Sequence, residues 1–184
     1  MTYYGGAELA TAFRTVRGNT VKIAEEIPED KFDFRATPDT RTVAQTLVHI
    51  ALGPSFALQI HGRKIADLKT FNFMELVQAV TAEEAKRRTK PEIIAFLKAE
   101  GEKFASFLES LSDDFLAEQV AMPPGDQAAA KTRFEMLLST KEHEMHHRAQ
   151  LMLVERMLGV VPHLTRQREE RFAQIRGQAA GAAR

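Results

Sequence analysis

The feature that most constrains the fold is the recurrence of apolar residues at three- and four-residue intervals in four long segments. This spacing places the apolar side chains on one face of an α-helix, whereas a half-buried strand alternates them every second residue. The periodic segments are 7–26, 40–61, 90–111 and 131–158. Helices with one apolar face each can bury those faces against one another, which predicts an all-α fold, a four-helix bundle.

Prolines and glycines mark the ends of these segments. Pro28 follows the first segment and Gly159 follows the fourth, as expected of residues that stop a helix. Pro54 lies inside the second segment, where it predicts a kink. The stretch FNFMELVQAV predicts a short additional helix, and no pair of strands is evident.

The predicted helices form one domain over residues 1–165. A basic segment with a tail of small residues follows at 166–184, and we expect it to be partly disordered.

The composition excludes several kinds of chemistry. The 184 residues contain no cysteine, so disulfides, thiolate catalysis by the protein and Cys-ligated zinc are excluded. Lys plus Arg and Asp plus Glu both number 25, and a net charge of zero argues against nucleic acid as a partner. Any metal must therefore be held by His, Asp or Glu, and any thiol must come from a small molecule.

The sequence indicates neither secretion nor a membrane. The stretch MTYYGGAELATAF lacks a basic region followed by a long apolar run, as a secretory signal would have. We also find no stretch of about 18 apolar residues that would predict a membrane span. The expected location is cytoplasmic.

Three of the six histidines fall within the stretch HEMHH at 143–147. On a helix, His143 and His147 lie one turn apart and share a face with Leu151, so we expect both to point into the bundle. Side chains at i and i+4 converge, and two neutral imidazoles can bind one divalent ion. His49, among apolar residues of the second helix, is the best candidate for a third ligand from another helix.

Other interpretations of the histidines stay open at this point. A pair at i and i+4 can be a surface pair, or part of an interior cluster that holds no metal. A di-iron bundle would need Glu-x-x-His on two helices. The chain has this pattern once, from Glu144 to His147, and Glu144 is rotated away from the histidine face. A mononuclear site formed by His49, His143 and His147 fits better.

The remaining histidines are assigned lesser roles. His146 is expected beside the site or at the surface, His61 as a helix cap or a solvent residue, and His163 as a structural residue. Four further side chains near the ligands in sequence, whose roles the sequence does not assign, are Gln45, Glu144, Arg148 and Gln150. No catalytic residue and no organic cofactor site is assigned.

Two stretches resemble the DinB/YfiT-like superfamily: DKFDFRATPDTRTVAQTLVHIA and HEMHHRAQLMLVERMLGV. The resemblance covers roughly residues 7–161. It implies a four-helix bundle with a metal held by three histidines, one from the second helix and two from the fourth. By position these are His49, His143 and His147. Ala149 stands where relatives often have Gly, which does not affect the ligands.

The resemblance also implies a function. Relatives include thiol-dependent S-transferases and isomerases that use bacillithiol or mycothiol, and proteins described as metal-dependent hydrolases. We therefore expect a metal-dependent enzyme of the S-transferase type that acts on a small molecule with a low-molecular-weight thiol. The alternatives are a hydrolase that activates water, and a non-catalytic, metal-stapled module for binding or stress response. Zinc or nickel is favoured over iron or manganese, and a homodimer is expected by analogy.

Overall fold

The computed structural model describes residues 4–182, with side chains as far as Ala179. Its elements, in chain order, are α1 (Gly6–Glu26), α2 (Val43–Leu52), α3 (Pro54–Gly62), α4 (Phe73–Glu84), α5 (Lys90–Glu109), α6 (Asp113–Ala117), β1 (Gln119–Ala121), β2 (Ala130–Thr132), α7 (Arg133–Met157) and α8 (His163–Ala182). The bundle consists of α1, the pair α2 and α3, α5, and α7, which pack against one another. The predicted all-α fold is confirmed.

Local capping determines where the helices that carry the site begin. The Thr42 hydroxyl accepts from the Gln45 backbone N–H, and the Gln45 side chain accepts in return from the Thr42 N–H. At the start of α7 the Thr132 hydroxyl accepts from the Glu135 N–H. Such caps satisfy backbone donors that have no partner within the helix, and they fix the register of α2 and α7.

The predicted kink at Pro54 is a break between two helices, since α2 ends at Leu52 and α3 begins at Pro54. Proline has no N–H to continue the hydrogen-bond ladder of α2. Taken together, Val43–Gly62 has the length and hydropathy of a membrane-spanning helix, by length and composition only. Because 56% of that window is buried in the structure, and core helices pass the same test, this is weak evidence for a span.

Two features differ from the sequence-based predictions. Strands β1 and β2 form an antiparallel pair in which Val120 lies opposite Lys131, where no strand pair was predicted. Strands of three residues are too short to show an alternating pattern. The segment predicted to be a partly disordered tail is helical as far as Ala182, within α8. It is rich in Arg, Gln, Glu and Ala, which favour helix without any apolar periodicity.

The apolar core holds α2 and α7 beside each other. One part of it joins Leu47 and Ile50 of α2, Ile93 and Leu97 of α5, and Leu151 of α7. Each fully buried side chain of this size contributes about 1.5–3 kcal/mol. The histidines of α2 and α7 are therefore carried on elements whose separation is fixed by packing.

Candidate metal centre

The three histidines predicted as ligands converge in the structure. His49 lies in the last turn of α2, while His143 and His147 lie one turn apart on α7. The Nε2 atom of His143 lies 3.1 Å from Nε2 of His49 and 3.2 Å from Nε2 of His147. One nitrogen from each ring lies within 4.8 Å of the other two. Among the described residues, this is the one such group of His, Asp or Glu side chains.

Hydrogen bonds at Nδ1 of His49 and of His147 determine which ring nitrogen is available to bind a metal. The Glu84 carboxylate, at the end of α4, lies 2.5 Å from Nδ1 of His49. The Gln150 carbonyl oxygen lies 2.8 Å from Nδ1 of His147, and the Gln150 amide nitrogen lies 3.1 Å from Nε2 of His146. Since oxygen atoms accept, Nδ1 carries the proton in both rings. The Nε2 lone pairs of His49 and His147 are left facing His143.

The donor set fits a small divalent cation. Nε2 of His143 can donate one proton, so it cannot satisfy the lone pairs of both His49 and His147. For tetrahedral zinc with bonds of about 2.0–2.1 Å to nitrogen, neighbouring ligand atoms lie about 3.3 Å apart. The two distances from His143, 3.1 and 3.2 Å, are close to this value, and the third pair of nitrogens lies within 4.8 Å. In metal-binding histidines, the ring nitrogen that does not bind the metal typically carries a proton and donates it to a carboxylate or carbonyl oxygen.

The electrostatics keep the α7 histidines neutral. Burial, with smaller contributions from the neighbouring His147, His49, His146 and Arg41, lowers the pKa of His143 to about 4. Burial also lowers the pKa of His147, against an opposing effect of Gln150. Metal binding requires deprotonated imidazole, so these two ligands need not lose a proton near pH 7.

The break between α2 and α3 makes room for His143. A Cβ atom at Gly53 would lie 3.2 Å from Nδ1 of His143. The ring thus lies against the backbone of the break, where a larger residue would crowd it.

The cluster lies at the edge of the bundle and not inside it, which corrects the sequence-based expectation. His49, His143 and His147 are partly exposed, whereas the buried residues of α7 include Glu144 and Leu151. The periodicity argument took the histidine face of this helix as the buried face and placed Glu144 off that face. Partial exposure leaves room for a further ligand, as catalytic metal sites require.

Glu144 belongs to a buried ion pair that sequence reasoning missed. Its carboxylate accepts from Arg17 at 2.9–3.1 Å and from the Thr20 hydroxyl at 2.7 Å. The Arg17 guanidinium also donates to the carbonyls of Leu97 and Ile50. Arg17 is 4% exposed and Glu144 is 2% exposed. The pair connects α1, α2, α5 and α7 directly beneath the histidines.

A sequence signal for this pair existed. Arg17 falls on the apolar face of α1, at helical spacing from Phe13 and Thr20. A charged residue on such a face needs a buried partner of opposite charge. Gly101 has no side chain and so makes room for Arg17, because a Cβ atom at Gly101 would lie 2.7 Å from Cγ of Arg17.

The remaining predicted residues lie as follows. His61 is buried beside Arg133, with Nδ1 at 3.2 Å from the guanidinium, so its prediction as a cap or solvent residue was wrong. Burial, and then the charge of Arg133, lower its pKa to about 4. His163 is buried near Asn19, while Gln45 caps α2. Glu84, far from the histidines in sequence, was missed.

Two cavities lie on either side of the histidine cluster. The larger, of about 610 Å³, is lined by His147 and by residues of α7 and of the loop before α2. The smaller, of about 310 Å³, is lined by His49, His143, Ser139 and Thr140. A molecule in either cavity can reach the imidazoles.

The structure is a bundle of α-helices in which α2 and α7 bring three histidines together. This combination defines a class of α-helical proteins with a candidate metal centre. The chain belongs to the DinB family, whose sequence profile matches residues 1–178. No match was found among curated proteins.

Solved structures share the fold. YfiT from Bacillus subtilis, described as a probable metal-dependent hydrolase with an unusual four-helix bundle topology, is 13% identical with a TM-score of 0.65, covering 87% of this chain and 91% of its own. The DinB-like protein YjoA from Bacillus subtilis is 18% identical with a TM-score of 0.62, covering 83% and 92%. The colibactin self-resistance protein ClbS, in complex with dsDNA, is 16% identical with a TM-score of 0.61, covering 85% and 98%.

Proposed function

We propose that the protein is a metal-dependent enzyme of the S-transferase type that acts on a small molecule with a low-molecular-weight thiol. His49, His143 and His147 hold one divalent ion, with zinc or nickel favoured over iron or manganese. The observation that carries the proposal is the convergence of three Nε2 atoms, with the rings of His49 and His147 oriented by Glu84 and Gln150. Three protein ligands leave a coordination position for a reactant.

The ion supplies a nucleophile near neutral pH, because it lowers the pKa of a coordinated thiol or water. The chain orients two of the imidazoles through the hydrogen bonds of His49 to Glu84 and of His147 to Gln150, while the His143 ring lies against the backbone at Gly53. It also keeps His143 and His147 neutral by burial.

The surroundings of the cluster favour a thiol over water. Hydrolysis by activated water usually uses a general base beside the water. Two carboxylates beside the histidines are engaged, Glu84 by His49, and Glu144 by Arg17 and Thr20. A thiol needs no such base once its pKa is lowered, and the chain has no cysteine of its own.

The second candidate is a metal-dependent hydrolase. It is supported by the description of YfiT, which shares the fold at 13% identity. Cobalt-loaded protein distinguishes the two candidates when a small thiol such as bacillithiol is titrated in. A sulfur-to-metal charge-transfer band supports the transferase. If no thiol tried gives a band while azide still binds, the hydrolase becomes the better proposal.

Metal content tests the ligand assignment. We expect close to one divalent ion per chain by mass spectrometry, and loss of that ion in His147→Ala. His146→Ala is the matched control, since His146 contacts Gln150 and lies outside the converging group. Unchanged stoichiometry in His147→Ala would remove His147 from the site.

Nucleic acid was not expected as a partner, and the dsDNA complex of ClbS is in tension with that expectation. We propose that this chain has no salt-sensitive affinity for duplex DNA, supported by its 25 basic and 25 acidic residues. Neutralising several phosphates makes affinity fall steeply with salt. Tight binding at low salt that collapses as salt rises would overturn this proposal.

Three further expectations remain proposals. The sequence supports one domain over 1–165 and a cytoplasmic location. A homodimer rests on analogy with relatives. Size-exclusion chromatography with light scattering tests the oligomeric state, and limited proteolysis tests the domain boundary.

A further inference from the structure

We propose that the larger cavity beside the histidines binds an amphipathic organic anion, with its apolar body in the cavity and its charged group on Arg41. This inference names the substrate class of the proposed function and rests on it. The cavity, called here the Arg41 cavity, has a volume of about 610 Å³. The lining residues used in the argument are Phe34, Asp39, Arg41, His147, Val154 and Met157.

The walls of the Arg41 cavity suit an apolar body. Its volume lies within the range of about 300–1,000 Å³ that is usual for small-molecule sites. Phe34, Val154 and Met157 contribute apolar surface, and Leu153 and Met157 remain 60% and 53% exposed. Large apolar side chains left open to solvent around a concave surface are typical of ligand sites.

Arg41 supplies the charge for an anion. Its Nε atom lies 3.7 Å from a Glu84 oxygen, and among the described residues its guanidinium makes no hydrogen bond. A guanidinium has five N–H donors arranged to match a carboxylate, sulfonate or phosphate group. Donors that the described chain does not use are available to a ligand.

The other charged group of the lining is already bound. Asp39 accepts from the Thr37 hydroxyl at 2.6 Å, and this bond lowers the pKa of Asp39. Its carboxylate is therefore ionised and engaged within its own loop. This asymmetry favours a ligand anion at Arg41 over a ligand amine at Asp39.

The position of Arg41 connects the anion site to the histidines. His147 lines the same cavity, and the Glu84 carboxylate lies 3.7 Å from Nε of Arg41 and 2.5 Å from Nδ1 of His49. An anion held at Arg41 would place its apolar body along α7, past His147. The smaller cavity, beside His49 and His143, remains for the thiol.

Calorimetric titration of metal-free protein with three eight-carbon probes tests the inference. Octanoate, octan-1-ol and octylamine share an apolar body and differ in charge. We expect octanoate to bind most tightly, and Arg41→Gln to weaken octanoate by about tenfold or more while leaving octanol unchanged. Arg87→Gln, at an exposed arginine outside this cavity, is the matched control and should change nothing.

A second variant tests the apolar wall. Val154→Asn should weaken the binding of octanoate and of octanol alike, since both place the same alkyl group against this side chain. The inference is overturned if octanoate does not bind, if octanol or octylamine binds as tightly, or if Arg41→Gln leaves octanoate binding unchanged. Because no metal is present, these outcomes are independent of metal content, which tests the proposed function separately.

Discussion

Two polar clusters lie on consecutive residues of α7, one around His143 and one around Glu144. The Glu144 carboxylate accepts from Arg17 and Thr20, and Arg17 in turn donates to two backbone carbonyls, so the protein completes this cluster by itself. The His143 cluster brings three imidazoles together with more lone pairs than protons between them. The Glu144 cluster therefore has a structural role. The His143 cluster has a binding role, because it needs a cation that the chain does not supply.

The largest expected effect comes from breaking the completed cluster. Glu144→Ala leaves the Arg17 charge buried without a partner, which should lower the free energy of unfolding by about 3–5 kcal/mol. Urea denaturation of metal-free protein measures this. Glu142→Ala, an exposed residue of the same helix, should stay within about 0.5 kcal/mol of wild type. A loss below 1 kcal/mol for Glu144→Ala, well under the ~3–5 kcal/mol expected, would contradict a structural role for the pair.

The His143 cluster, unlike the Glu144 cluster, should make the stability of the protein depend on metal. Zinc at about 100 times its dissociation constant should raise the free energy of unfolding of wild type by about 2.7 kcal/mol. His143→Ala should abolish this gain and change the stability of the metal-free protein little. Thermal unfolding with and without zinc measures both effects. An equal zinc-dependent gain in the variant would show that the ion binds elsewhere.

The hydrogen bond behind His49 should tune metal affinity. Glu84→Gln removes the negative charge that lies beside Nδ1 of His49, so we expect the affinity for metal to fall by about 10–100-fold. Glu83→Gln is the matched control on the same helix, because Glu83 pairs with Arg88 and Lys86. Competition with a zinc chelator gives the affinities. Equal affinities in the two variants would remove Glu84 from the site.

A further carboxylate of α7, Glu155, is buried without a partner among the described residues. Glu155 is 0% exposed, and neither of its carboxylate oxygens has a hydrogen-bond partner in the described structure. Burial, with a smaller contribution from Glu26, raises its pKa from an ordinary value of 4.5 to about 7. The folded protein therefore keeps a proton that the unfolded chain releases, so stability falls as pH rises through this interval.

Glu155→Gln should remove that pH dependence. We expect the variant to be more stable than wild type by about 3 kcal/mol at pH 8, with the advantage absent near pH 4.5. Chemical denaturation at several pH values measures the difference, and Glu142→Gln controls for loss of a surface charge. A constant difference across the range would mean that Glu155 does not titrate in the folded state.

Much of this architecture could be predicted from the sequence, and the failures have physical causes. Apolar periodicity located α1, α5 and α7, and the i, i+4 spacing of His143 and His147 identified two converging rings. It misplaced the depth of the cluster, because the histidine face was taken as the buried face, whereas Glu144 is buried by its pairing with Arg17. Glu84 could not be found, since its contact with His49 is formed by tertiary packing across 35 positions.

The most direct test of the metal centre is X-ray absorption at the edge of the bound zinc. The account predicts three imidazole nitrogens at about 2.0–2.1 Å and one further light atom, with sulfur replacing that atom when a thiol is added. His146→Ala should give the same spectrum, and His49→Ala should lose the bound zinc, as expected for His147→Ala. A shell of oxygen atoms alone, or fewer than three imidazoles in wild type, would contradict the assignment of His49, His143 and His147 as the ligands.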